Sequence, residues 1–399
     1  MKNFYFALLL ASAFAGNSVS AQTDTNRGGG NNVVWKPQTV LVYTMDEAVS
    51  PSWENAGHTS FAYDQYGNTT MLTRYDSSGK PQSKTTYLYD TSVAGYLLDR
   101  RVYKLTDNPD NDIADSHDYY HEDVTRDGNG RVVSAKYQFD KSGSMGGSLD
   151  VEYDNATGKA KKMTITLGEY GSVYNVVLDN IEWKSFDGTR LKVDPYMVST
   201  PELADYLLEG SNRIKSSTGL NVEYSADGGY VATFKFFSLV TTIAKSITDN
   251  NGSYTLEKLD YTSSGKVSGG VKTVVTLDSH GNVVNKQKWE RGEEGEYNSE
   301  YLLNNELICQ YTYNADFGYP ETRVGNDMEN TGEYIGKLKL EYRDFVSFKT
   351  AGISGVATDN AEYSDGIYNL NGVKMPTEGA LPKGIYLKRI NSKTVKILK

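Results

Sequence analysis

Cysteine, histidine and proline are scarce in this sequence. Its 399 residues include one cysteine, four histidines and nine prolines. A lone cysteine excludes an intramolecular disulfide, so the fold must be stabilised by packing. We predict that this residue, Cys309, is a buried strand residue rather than a nucleophile, because no histidine lies near it in the sequence.

An excess of positive charge is also absent. The chain carries 41 Lys+Arg against 51 Asp+Glu, a formal net charge of -10. Binding to nucleic-acid phosphates needs a concentrated basic face. Nucleic acid is therefore not predicted as a partner.

The N-terminal apolar run is too short to span a membrane. The stretch MKNFYFALLLASAFAGNSVSA has a basic Lys2, an apolar run over residues 4–14, and small residues at Val19 and Ala21, as a secretory signal peptide does. A spanning helix needs about 20 apolar residues. We predict a signal peptide over residues 1–21, no membrane span, and an exported protein at the outer-membrane surface or outside the cell, otherwise in the periplasm.

Tyrosine, by contrast, is abundant and recurs next to turns. The chain has 31 tyrosines. Six segments share one pattern: an aromatic residue or Leu, then Asp or Thr, then two or three further residues, and then Gly. They are YDQYGN from Tyr63, YDSSGK from Tyr75, FDKSGS from Phe139, YDNATGK from Tyr153, YTSSGK from Tyr261 and LDSHGN from Leu277. Asp hydrogen-bonds its own backbone and Gly supplies a positive φ, so each segment predicts a hairpin turn.

Between these turns the apolar residues alternate with polar ones. KKMTITLG places Met163, Ile165 and Leu167 on one face, and GKLKLEYRDF does the same with Leu338, Leu340 and Tyr342. We predict an all-β fold of repeated antiparallel hairpins that form an extended, stacked or curled sheet. One short helix is predicted near residues 201–209, with Pro201 in its first turn and Gly210 at its end.

The predicted organisation has five parts. After the signal peptide come a Gly/Asn-rich tether at 22–33, a tyrosine-rich antiparallel β domain at 34–345, a linker at 346–365 and a C-terminal β-module at 366–399.

The hairpin motifs loosely resemble the tyrosine-aspartate (YD) repeats of bacterial surface and toxin-shell proteins, and also tyrosine-rich secreted proteins of Bacteroidetes.

The C-terminal stretches GIYNLNGVKM and LPKGIYLKRINSKTVKILK resemble the C-terminal sorting domain of type IX secretion substrates of Bacteroidetes. The matching positions are Gly366, Tyr368, Gly372, Pro382, Lys383, Gly384, Tyr386 and Lys396. The resemblance implies that this module is recognised by export machinery, which is the partner that we expect. A β-module that only stabilises the end of the chain is the alternative.

No catalytic, cofactor or metal site is predicted. His117 and His121 stand four residues apart among carboxylates, but the segment suits a strand and a third ligand is missing. The acidic run DNPDNDIADSHD from Asp107 lacks the glycine and closing glutamate of a helix-loop-helix calcium loop. Ser144, in SGSMGG, lacks the flanking glycine of a nucleophile elbow and is predicted to lie in a turn.

Two classes of function remain open. The first is a noncatalytic secreted or surface-displayed protein whose aromatic sheet face binds a glycan or a protein. The second is a secreted hydrolase whose acidic residues converge only in the folded chain. An outer-membrane protein that crosses with strands is disfavoured by the charged residues on both faces of segments such as KPQSKTTYLYD.

Overall fold

The structure is a computed structural model that describes residues 33–47, 51–105, 113–169, 172–193, 207–236, 239–291, 301–328, 334–349, 366–368, 385–390 and 393–398. The chain divides into two compact units, Met1–Ala351 and Gly352–Lys399. The predicted signal peptide, the tether up to residue 32, and residues 350–365 of the predicted linker lie outside the described residues.

The described part of the chain is almost entirely β-structure. Its only other regular element of three or more residues is the 3-10 helix Gly188–Arg190. The strands are β1 Val33–Met45, β2 Glu54–Tyr63, β3 Thr69–Tyr75, β4 Pro81–Tyr89, β5 Leu97–Lys104, β6 Ile113–Arg126, β7 Val132–Gln138, β8 Met145–Tyr153, β9 Ala160–Glu169, β10 Ser172–Leu178, β11 Glu182–Ser185, β12 Arg213–Ser217, β13 Leu220–Tyr224, β14 Tyr230–Phe236, β15 Leu239–Ile247, β16 Tyr254–Tyr261, β17 Val267–Leu277, β18 Val283–Arg291, β19 Tyr301–Tyr313, β20 Pro320–Met328, β21 Tyr334–Lys349, β22 Gly366–Tyr368, β23 Ile385–Ile390 and β24 Lys393–Leu398.

The first 21 strands form one antiparallel sheet, which confirms the predicted all-β class. β1 to β10 pair in chain order, and so do β11 to β21. β1 pairs with β21 and joins these two meanders, from Val33 opposite Lys349 to Met45 opposite Lys337. All sheet neighbours except this one pair are therefore consecutive in the chain.

The two edges of the sheet, β10 and β11, are also consecutive in the chain. Residues 179–181 connect them. The amide of Ile181 donates to the carbonyl of Lys161 in β9 at 3.0 Å, and the indole Nε1 of Trp183 donates to the carbonyl of Ala160 at 2.6 Å. The start of β11 is thus fixed to β9 rather than to β10.

The predicted alternation places apolar residues on one side of the sheet, which we call the inner face. Met163 and Ile165 are buried there, as are Leu338, Leu340 and Tyr342. The larger core cluster joins β7–β10 to β11–β15 and includes Leu149, Met163, Ile165, Ile214, Ala232 and Ile243. A smaller cluster contains Val40, Leu338, Leu340 and Tyr342. The opposite side of the sheet is the outer face.

A segment between β11 and β12 packs inside the larger core cluster. Leu191 and Val193 on one part of this segment, and Leu207 and Leu208 on another, are fully buried. Residues 201–206 of the predicted helix lie outside the described residues, and only Leu207 of the rest has helical backbone.

All six predicted turns occur between strands, and three of them share one geometry. In the turn that begins at Asp278, the carboxylate Oδ1 accepts from the amides of His280 and Asn282, each at 2.9 Å, and Gly281 has a φ of 78°. The turns that begin at Asp64 and Asp76 repeat these bonds. The predictions missed equivalent turns that begin at Asp127 and Asp249.

The C-terminal unit contains a second, three-stranded antiparallel sheet in the order β22-β23-β24. Tyr368 lies opposite Leu387, which in turn lies opposite Lys396. In neither unit does a described helix have the length and apolar character needed to cross a membrane.

Candidate functional site

Two rows of side chains on the outer face cross the neighbouring strands β3 to β6. In the first row Met71 lies opposite Thr86, Thr86 opposite Arg101, and Arg101 opposite Tyr119. In the second row Leu88 lies opposite Asp99, and Asp99 opposite His121. Cross-strand partners share a face of the sheet. We call these residues, Met71, Thr86, Leu88, Asp99, Arg101, Tyr119 and His121, the outer patch.

The outer patch combines exposed apolar side chains with polar ones. Leu88 is 58% exposed and Met71 is 38% exposed. The guanidinium of Arg101 lies 5.5 Å from the ring centre of Tyr119, a cation–π contact. Met, Tyr and Arg are enriched in the surfaces that proteins use to bind one another. The outer patch therefore has the composition of an interaction surface.

Asp99 holds the charged residues of the outer patch in place. Its carboxylate accepts from Arg101 Nε at 2.9 Å and from Arg101 Nη2 at 2.8 Å, and its Oδ2 lies 3.1 Å from His121 Nδ1. These hydrogen bonds to Asp99 are the main reason that the pKa of the Arg101 guanidinium is raised. A buried carboxylate thus orients two partly exposed side chains before any ligand arrives, which lowers the ordering cost of binding.

Most tyrosines contribute to the fold rather than to an exposed aromatic face. Among the tyrosines whose side chains are described, only Tyr66 is exposed. Hydroxyls of tyrosines at strand ends donate to carbonyls in other strands: Tyr63 to Pro37 at 2.5 Å, Tyr89 to Thr69 at 3.0 Å and Tyr153 to Val132 at 2.6 Å. Burial raises the pKa of Tyr153 to about 12. Each of these three tyrosines links the strand that it ends to the preceding strand.

The inner face contains a buried ion pair. Lys192 Nζ lies 2.7 Å from Glu122 Oε2, and the side chain of Glu122 is fully buried. The hydroxyls of Tyr96 and Tyr120 donate to the two oxygens of Glu122 at 2.5 and 2.6 Å. Lys192 Nζ also donates to the carbonyl of Leu97 at 2.7 Å. The pair fastens the segment between β11 and β12 to β5 and β6, which is a structural role.

The histidine pair of the sequence prediction falls on β6, in the strand conformation that was expected. His121 points outward between Asp99 and Asp123, whereas Glu122 points inward because successive strand residues alternate in side. The side chain of His117 and residues 107–112 of the acidic run lie outside the described residues. Among the described residues no three His, Cys, Asp or Glu side chains are grouped to hold a metal ion.

The other sequence candidates are placed as follows. Ser144 lies in the turn between β7 and β8, where its hydroxyl donates to Asp140, so the predicted turn is confirmed. Cys309 is buried in β19, which confirms the predicted strand position. Its sulfur accepts a hydrogen bond from Arg323.

Four of the sorting-module residues lie on strands of the C-terminal sheet. Gly366 and Tyr368 belong to β22, Tyr386 to β23 and Lys396 to β24. Gly372, Pro382, Lys383 and Gly384 lie outside the described residues.

The sequence reasoning considered His121 only as a metal ligand, a role it did not predict, and it missed the other members of the outer patch. The signal in β5 was weak, because Asp99 and Arg101 alternate with Arg100 and Val102, so charged residues lie on both sides of the strand. Period-two alternation indicates which residues share a face. It does not reveal which strands are neighbours, so Met71 and Leu88 were not associated with Arg101.

Comparison with known proteins gives no family for this chain. No family model and no curated protein sequence matches it. A crystal structure of a porin-like protein from Bacteroides uniformis aligns with 79% of this chain and 98% of its own, at 10% identity and a TM-score of 0.24. A crystal structure of TcdB2-TccC3 aligns with 72% of this chain, at 13% identity and a TM-score of 0.17, and the alignment spans 18% of that chain. Both scores are too low to carry an argument, so function is inferred from the residues of this chain.

Proposed function

We propose that this chain is an exported, noncatalytic β-protein that binds another surface or extracellular protein through the outer patch. The alignment of Met71, Thr86, Arg101 and Tyr119 across four adjacent strands supports this proposal most directly. Such a surface is partly apolar and already ordered by Asp99, and a protein partner suits it better than a small molecule, which needs a concave pocket.

Export in this proposal rests on the two ends of the chain. The N-terminal segment has the pattern of a signal peptide, and β22 to β24 form a sheet of their own from the segment that resembles a sorting domain.

Deletion of residues 381–399 removes β23 and β24. We expect this deletion to leave the first unit folded and trapped in the periplasm, because β1 to β21 pair without those strands. Fractionation and the intact masses of the protein from cells and medium measure this outcome. Normal amounts of the shortened protein at the surface or in the medium would show that the module only stabilises the chain end.

Binding is tested by crosslinking on intact cells. A photoreactive amino acid at Thr86, in the first row of the outer patch, should capture a partner, and the same group at Val231, a 47% exposed residue of β14, serves as the matched control. The double substitution Leu88→Ser/Arg101→Ser should then weaken binding of the purified partner by at least about tenfold, as loss of interface hot spots does. Val231→Ser should leave the affinity unchanged.

Three outcomes would contradict the proposal. Equal capture from both positions means that the outer patch has no specific partner. Binding to a glycan array that the Leu88→Ser/Arg101→Ser protein loses, without any protein capture, means that the ligand is a carbohydrate. Turnover of a polysaccharide or peptide that a single carboxylate substitution abolishes would establish the hydrolase alternative instead.

A further inference from the structure

One edge of the first sheet, β10, is paired on one side only. It lies against β9 along its whole length, Ser172–Leu178, and no other strand in the described part of the chain pairs with it. The next residue, Asp179, accepts through its carbonyl from the amide of Thr218 at 2.8 Å. Thr218 directly follows β12, so the free side of β10 starts beside the end of β12 and extends back to Ser172.

Alternate residues of β10 direct their backbone groups to this free side. In an antiparallel sheet the residues that bond to a given neighbour alternate along the strand. The carbonyl of Asp179 bonds away from β9, so the amides and carbonyls of Val177, Asn175 and Val173 are directed the same way. Within the described residues these groups bond to no other strand. Such a row of free donors and acceptors is a template for one more strand.

β10 lacks the features that usually protect a sheet edge. Its sequence, SVYNVVL, contains no charged residue, no proline and no glycine. On the outer face Val177 is 41% exposed, and Asn175 is exposed as well. The other edge, β11, has only four residues, including Glu182 and Lys184, and its register with β12 is interrupted twice. β10 is therefore the edge to which a further strand can add.

We propose that two copies of this chain pair antiparallel through β10, so that their sheets become continuous across a two-fold axis at Asn175. In this register Asn175 lies opposite Asn175 of the second copy, and Val177 lies opposite Val173 of the second copy. The same seven residues serve both copies, as in any two-fold symmetric interface. The pairing extends the proposed function, because the resulting dimer carries two outer patches.

The chemistry of β10 suits a second copy of the same strand. The whole chain has a formal net charge of -10, yet pairing through this uncharged strand brings no like charges directly opposite each other. Val176 packs against the larger core cluster, and Leu178 belongs to it. Each copy thus offers a strand that is already ordered, which lowers the cost of association. Pairing at one edge stops at two copies, because the short, charged β11 does not offer an equivalent second edge.

Sedimentation velocity of the purified full chain tests the proposal. Concentrations from about 1 to about 200 μM cover the affinities expected of a small interface. We expect a reversible equilibrium between monomer and dimer. Asn175→Lys and Asn175→Asp each place like charges opposite each other across the axis, so each should raise the dissociation constant about fivefold or more. Val231→Lys, at a 47% exposed position of β14, is the matched control and should leave it unchanged.

Mixing the two charged variants tests the register itself. Lysine opposite aspartate is an attractive cross-strand pair. An equimolar mixture of Asn175→Lys and Asn175→Asp should therefore associate about as strongly as the wild type, although neither variant does so alone. Circular dichroism checks that each variant keeps its fold. Asn175→Asp keeps the size of the side chain and the oxygen that accepts from Thr166 at 2.9 Å, so it remains informative even if Asn175→Lys does not fold.

Four results would overturn the proposal. A wild type that stays monomeric up to the highest concentration shows that the edge is not available to a second copy. A dimer whose dissociation constant neither charged variant changes forms through another surface. Assemblies that grow beyond two copies show open-ended pairing. A mixture of folded charged variants that associates no better than its components excludes the register about Asn175. None of these readouts depends on export or on a ligand of the outer patch.

Discussion

Removing the amine of Lys192 should strongly destabilise the first unit. The substitution Lys192→Met keeps most of the side-chain volume but leaves the carboxylate of Glu122 fully buried without its cation. Breaking a buried ion pair from one side costs about 3–5 kcal/mol, because the remaining charge stays out of water. Tyr96 and Tyr120 still donate to Glu122, so we expect a loss near the lower end, about 3 kcal/mol.

A double-mutant cycle separates this charge effect from simple packing. Glu122→Gln in the Lys192→Met background removes the uncompensated charge, so the double mutant should recover about 2 kcal/mol relative to additivity. Lys215→Met is the matched control, because the pair of Lys215 with Glu182 is 3.2 Å long but both side chains are more than 60% exposed. That control should lose no more than about 0.5 kcal/mol.

Urea unfolding followed by tryptophan fluorescence and far-ultraviolet circular dichroism gives these free energies of unfolding. Coincidence of the two transitions establishes that the comparison is valid. A loss below about 1 kcal/mol in Lys192→Met, or strict additivity in the double mutant, would refute a charge-paired anchor for the segment between β11 and β12.

Three further changes test other parts of the sheet. Tyr153→Phe should lower the free energy of unfolding by about 1 kcal/mol in urea titrations, because it deletes one partly buried hydrogen bond, whereas Tyr66→Phe at an exposed position should have no effect. Burial alone would raise the pKa of Asp140, but hydrogen bonds from neighbouring hydroxyls and amides outweigh it and lower the pKa to about 2. The ionised Asp140 therefore stabilises the fold above its unfolded pKa of about 3.9, and this stabilisation is lost as the pH falls towards 2. Asp140→Asn should make the free energy of unfolding depend less on pH between about 4 and 2, and an unchanged pH dependence would contradict the role of these hydrogen bonds. Gly325→Ala should destabilise by about 1–3 kcal/mol, since its Cβ would lie 2.6 Å from a carbonyl oxygen, whereas thermal unfolding of Gly128→Ala should match the wild type to within about 1 °C.

The features that the sequence predicts well depend on residues close to one another in the chain. A turn such as Asp64 to Asn68 closes through bonds made within five residues, so its residue types suffice to identify it. Burial of Met163 and Ile165 follows from period-two alternation in the same way. Such local signals establish the all-β class and most hairpins.

The candidate site depends on register between strands, which local patterns do not specify. Asp99 reaches His121 across 22 positions of the chain, and Leu88 joins them only because β4 and β5 pair at one particular register. The contact of Lys192 with Glu122 depends on the segment between β11 and β12, which returns along the inner face to β6. A shift of one residue in any pairing would turn these side chains to the other face.

The topology of the first unit suits progressive folding along the chain. Every sheet pairing except β1 with β21 joins strands that follow one another in the chain, and most of these strand pairs form without a long loop to close. The exception is β11 with β12, which residues 186–212 connect. The two meanders can thus form progressively as the chain emerges. Pairing of β1 with β21 must wait until residues 334–349 are available, and these residues precede the C-terminal unit. The first unit therefore completes its sheet only when nearly all of its own residues are available, and the long-range β1–β21 pairing is the slow step of its folding.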